Sequence, residues 1–126
     1  MIIYHITSRK AWMDATRDGS YSAPSLLTEG FIHCSTAAQI LPVARQFYGG
    51  QSGLVLLAID TRRLSAEVKW ERSLPPEGIP EGATFPHIHG EIGLDAVIQS
   101  IDFEPNGDGE FNLTELPAET GSAGSS

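Results

Sequence analysis

The sequence predicts an α+β fold. Helical spacing is confined to the first half, and strand-like alternation recurs through the second. The apolar run Gly53–Asp60 is long enough for a central strand covered on both faces. At 126 residues one domain is expected, over 1–114, with an acidic Gly/Ser tail over 115–126.

Ile2, Tyr4 and Ile6 alternate with Ile3, His5 and Thr7, so Met1–Ile6 reads as a strand with two unlike faces. Ser8 caps a helix over Arg9–Arg17, and Asp18-Gly19 ends it. Residues 20–30 read as a loop. Phe31–Ser35 is a second strand, with Phe31, His33 and Ser35 on one face and Ile32 and Cys34 on the other. Ser35 or Thr36 caps a second helix running to Tyr48, which Pro42 kinks or delays; Gly49-Gly50 stops it. Glu67–Trp70, Phe85–His89, Leu94–Ile101 and Gly109–Leu113 are further strands. The Pro- and Gly-rich residues 73–83 form a surface loop.

The net charge of −8 is uneven. Residues 1–72 hold every Lys and Arg and carry +2; residues 73–126 carry −10. This balance disfavours duplex nucleic acid, which needs many phosphate-neutralising cations. The lone Cys excludes an internal disulfide framework. No apolar run reaches membrane-spanning length, and strand-like residues follow Met1 at once. The expectation is a cytoplasmic protein without signal peptide or membrane partner, monomeric, with a small-molecule or nucleotide ligand.

All four histidines, His5, His33, His87 and His89, fall in strand-like segments. His5 has Thr7, and His33 has Ser35, as its same-face neighbour. An imidazole beside a hydroxyl offers both donors and acceptors, which suits a ribose or other polyol; the plainer reading is a half-buried His bonded to backbone. Tyr21, Tyr48, Trp12 and Trp70 can stack on a flat ring, though such residues more often pack in a core. Glu71, Glu29 and Glu91 flank the His-bearing strands as acid candidates or as surface charges. His33, Cys34, His87 and His89 are metal-ligand types, but no Cys pair or His-Glu-x-x-His motif is present, so no metal is expected. Cys34 precedes a helix start, as a reactive thiolate would, yet it alternates inward with Ile32. Ser35 lacks the Gly-x-Ser-x-Gly elbow of a hydrolase nucleophile.

Tyr4-His5-Ile6-Thr7, Trp12, Gly19-x-Tyr21, Ser25-Leu26, Glu29-Gly30-Phe31-Ile32-His33-Cys34-Ser35 and Gln39 line up in order. Leu56-x-x-x-Asp60, Lys69-Trp70-Glu71, Phe85-Pro86-His87-Ile88-x-Gly90 and Ala96-Val97 follow. Over residues 2–100 this pattern resembles the bacterial family catalogued as domain of unknown function 952, with His89 where the family pattern has Tyr. The family is distantly similar to the ADP-ribosyltransferase fold, including the RNA 2'-phosphotransferases. The resemblance implies an ADP-ribosyltransferase-like split or bent β-sheet with two helices from the N-terminal half, and a groove for NAD as a substrate or for another nucleotide. His5 and His33 would be catalytic or ribose-orienting, with Glu71 beside them; Thr7, Ser35, Tyr21, Trp70 and His87 would bind ligand. The late acid of most ADP-ribosyltransferases has no counterpart inside Phe85-Pro86-His87-Ile88. Four readings follow: an NAD- or nucleotide-utilising transferase, of ADP-ribosyltransferase-like or phosphotransferase-like type; a non-catalytic nucleotide-binding module; a metal-dependent hydrolase on His33, His87 and His89; and a structural protein with core histidines.

Overall fold

The structure is a computed structural model and describes residues 1–73, 75–113 and 116–117. Strand β1 (Ile2–Ser8) runs into helix α1 (Arg9–Asp18). The Ser8 hydroxyl accepts the Ala11 N–H at 3.0 Å, closing the first turn. Gly19, at φ +96°, ends the helix in the left-handed region and donates its N–H to Ala15 O. Ala15 is buried, and Ala11 and Trp12 pack beside it.

Residues 20–30 are not a plain loop. They hold strand β2 (Ser20–Tyr21) and helix α2 (Pro24–Thr28). Pro24 at the helix start needs no N–H partner. Gly30, at φ +89°, turns the chain back and donates to the Ser25 and Leu26 carbonyls. Among the described residues the α-helices lie in the first half, but they are three rather than two.

Strand β3 (Ile32–His33) is shorter than the expected Phe31–Ser35. A 3-10 turn over Ala37–Gln39 precedes α3 (Ile40–Phe47). Thr36 and Gln39 form a capping box there, and the Gln39 amide also donates to Thr84 O at 2.9 Å. Pro42 is accommodated because the α-helix begins late, leaving it in the first turn. The rest is β4 (Leu54–Asp60), β5 (Val68–Arg72), β6 (Thr84–Ile88), β7 (Ile92–Gly93) and β8 (Val97–Asp102). Leu94–Ala96 is a 3-10 turn, so the strand expected over Leu94–Ile101 starts late. Gly109–Leu113 is not a strand; Phe111 instead stacks on Phe103, centroids 4.8 Å apart. Leu116 packs partly against the core, and residues 115 and 118–126 of the expected tail lie outside the described residues.

The strands form two antiparallel three-stranded sheets, β1-β4-β8 and β3-β6-β5, plus the pair β2-β7. One antiparallel bridge, Tyr4 to Ser35, joins the two larger sheets through N–H···O bonds of 2.8 and 2.7 Å. Strand alternation distributes the core. Ile3, Val55, Leu57 and Ile59 pack on one side with Ile32 and Ile88; Ile2, Tyr4, Ile6, Leu56 and Ala58 pack on the other with Ile40 and Phe103. Every residue of β4 is buried, as expected for a strand covered on both faces. Leu56→Ala and Leu57→Ala empty opposite sides of this strand. Each is expected to lower unfolding free energy by about 2–5 kcal/mol in urea titration.

Candidate functional site: a histidine-lined cleft at the sheet junction

Beyond the Tyr4–Ser35 bridge lies a cleft of about 560 Å³. His5 and Thr7 come to it from β1, Tyr21 from β2, His33 and Ser35 from β3 and its continuation, and His87 from β6. Helix α3 adds Val43 and Phe47, with Tyr48 just after it, and α2 adds Pro24 and Ser25. Among the described residues the lining holds no Lys, Arg, Asp or Glu.

His5 sits on the same side of β1 as Ile3, so an apolar face must hold a polar ring. Both ring nitrogens are satisfied by protein. Nδ1 lies 2.6 Å from His33 O, and Nε2 lies 2.8 Å from the Tyr21 hydroxyl. A carbonyl only accepts, so Nδ1 carries the proton and Nε2 accepts from Tyr21. The Tyr21 oxygen is also 2.9 Å from Thr7 Oγ1; its single proton being committed to His5, the Thr7 hydroxyl donates to it. Burial drives the His5 pKa down to about 4, against the bond to His33 O, and burial lifts Tyr21 to about 12. His5 is therefore a neutral prop in the cleft wall with no nitrogen free for a ribose hydroxyl.

His33 stands directly opposite His87 across the β3–β6 ladder, ring centroids 5.2 Å apart. Its side chain is half exposed, and Nε2 lies 3.2 Å from both carboxylate oxygens of Glu29. His87 is buried, with Phe31 stacked on its face at 4.1 Å and 12°. Its Nδ1 donates to Glu71 Oε1 at 2.8 Å, and the His89 Nε2 donates to the same oxygen at 3.0 Å. These bonds, that from His87 first, hold the Glu71 carboxyl below its usual range. Glu71 pairs in register with Phe85, so it reaches His87 diagonally. The His87 Nε2 is buried and has no hydrogen-bond partner among the described residues.

Two expected site residues are not in the cleft wall. Glu71 reaches it only through His87, and Trp70 lies outside the lining with 42% of its surface exposed. Strand alternation explains both: residues 70 and 71 point to opposite sides of β5, the strand farthest from β3 in its sheet. Cys34 is buried beside Ile32, and burial pushes its thiol pKa up, so no thiolate is available. His33 is bonded to Glu29, and His87 and His89 share Glu71. No group of three His, Cys, Asp or Glu among the described residues is placed to hold an ion. Tyr48 lines the cleft, as one of the aromatic residues expected to stack there, and Phe31, outside the lining, enters through its contact with His87.

The His5 network sets a pH dependence. The unfolded imidazole binds protons from about pH 6.5 downward, whereas the folded one resists them until about pH 4. Stability is full above pH 6.5 and falls by about 3 kcal/mol as pH drops to 4, a loss that His5→Asn abolishes in urea midpoints measured across that range. Tyr21→Phe leaves His5 Nε2 buried and unpaired, and is expected to cost about 1–3 kcal/mol in the same titration at pH 7.

Comparison with solved structures finds CC0527 from Caulobacter crescentus. Its crystal structure matches at 34% identity and a TM-score of 0.77, covering 90% of this chain and 95% of that one. A double mutant of the same protein matches at 33% identity with the same TM-score and coverage. Its solution structure matches at 34% identity and a TM-score of 0.70, covering 86% and 90%. No curated protein matches the chain. The model of the protein family of unknown function DUF952 matches residues 6–100, and the chain belongs to that family.

Proposed function

We propose that the cleft takes a ribose-bearing ligand, NAD or a related nucleotide, and that the protein transfers a group from it. The observation that carries this reading is convergence. His5, Thr7, Tyr21, His33, Ser35 and His87 come from separate parts of the chain and line one cleft of substrate size. The split sheet, joined at a single bridge, is in keeping with an ADP-ribosyltransferase-like arrangement. Fold likeness alone assigns no activity.

The lining favours the nucleoside end of such a ligand. Tyr21, Tyr48 and Phe47 offer aromatic surface, and Thr7 and Ser35 offer hydroxyls. Phosphates find no Lys or Arg among the described lining residues and would extend to solvent. A second reading is binding without turnover, favoured by the lack of a carboxylate in that lining.

Calorimetric titration with adenosine, nicotinamide riboside, NAD, ADP-ribose and 2'-phosphorylated RNA ends tests the proposal. The nucleosides are expected to bind at least as tightly as the phosphorylated ligands, with little salt dependence. No binding by any of them overturns it. Chromatography after incubation separates the two readings: altered ligand means transfer, and unchanged ligand means binding alone.

A further inference from the structure

We propose that His87 Nε2 is the proton acceptor of the cleft and that Glu71 is the residue that positions it. Ionised Glu71 can only accept, so His87 must place its proton on Nδ1. Nε2 is then a bare lone pair. It is buried at the cleft wall and unpartnered. Buried polar atoms in folded proteins nearly always have partners, so an orphan of this kind marks a place for one that arrives from outside.

The surroundings fix the ring. Phe31 stacks on its face, Glu71 holds Nδ1, and His89 anchors Glu71 by a second donor bond. Among the described residues, the charged and titratable groups facing His87 are Glu71, His89, the His33–Glu29 pair and, directly across the β5–β6 ladder, Lys69. His33 stands edge-on to His87 and is half exposed, so it is the neighbour with room to turn and admit a donor.

The acceptor suits an O–H group, from water or from a ligand hydroxyl. That group gives its proton to Nε2, and its oxygen forms a bond to the electrophilic carbon of the ribosyl donor. The bond from that carbon to the leaving group breaks, and its electron pair goes to the leaving group. With NAD the pair neutralises the nicotinamide nitrogen, and the imidazolium returns its proton to solvent. This step rests on the ribose-ligand reading above; the assignment of the base rests on the His87 geometry.

The test uses the full chain. Nicotinamide release from NAD is followed against pH, and long-range proton–nitrogen NMR reads the imidazole tautomers. The expected spectrum shows His87 protonated at Nδ1 and bare at Nε2. His87→Gln is expected to lower kcat by about 100-fold or more, with KM changed less than about threefold. Glu71→Gln is expected to lower kcat by about tenfold or more and to displace the acid limb of the pH profile. If His87→Gln does not fold, the Glu71→Gln profile decides, and an unmoved limb overturns the assignment. Wild-type kcat in His87→Gln, or a proton on Nε2, also overturns it. Binding of NAD without turnover leaves the binding module and removes the base. If no ligand binds at all, the ribose reading falls separately, and the spectrum alone decides: Nε2–H sinks the assignment and Nδ1–H sustains it.

Discussion

The architecture depends on one join. Strand β1 pairs with β4 along its whole length and, among the described residues, meets the other sheet only at the Tyr4–Ser35 bridge. One residue away, the His5 side chain takes the His33 carbonyl, extending the join where the backbone ladder stops. The imidazole must be neutral to sit there, and its proton must be on the nitrogen that faces the carbonyl. Tyr21 and Thr7 fix that choice from the far side of the ring. A short polar chain therefore holds two half-sheets at the separation that leaves a cleft between them.

This division of labour separates the histidines by their partners. His5 has carbonyl and phenol partners and serves support. His87 has a carboxylate on one nitrogen and, among the described residues, no partner on the other. His33 has an exposed carboxylate and stands between cleft and solvent. The same side chain is used three ways because an imidazole's role is set by which nitrogen is occupied and by how much water reaches it.

Much of the fold was legible because its signals are local. The alternation of β1, the Ser8 cap, Gly19 and the apolar run of β4 each depend on near neighbours, and each reappears in the structure. Strand β2 and helix α2 escaped because a two-residue strand has no period and α2 leaves Leu27 91% exposed. In the site, alternation put His33 beside Ser35, Cys34 inward, and Glu71 on the face opposite Trp70. It could not show that both nitrogens of His5 are spent, since their partners lie 16 and 28 residues away. It also could not show that Glu71 meets His87, because that contact depends on the register of β5 against β6.

Cys34 has a practical consequence. It is the chain's sole cysteine, buried beside Ile32 in the layer shared by both sheets and bordering the cleft. A thiol reagent approaches that sulfur through the cleft and reacts as local opening exposes it. Its labelling rate thus reports whether the cleft is filled, readable without adding any probe to the molecule.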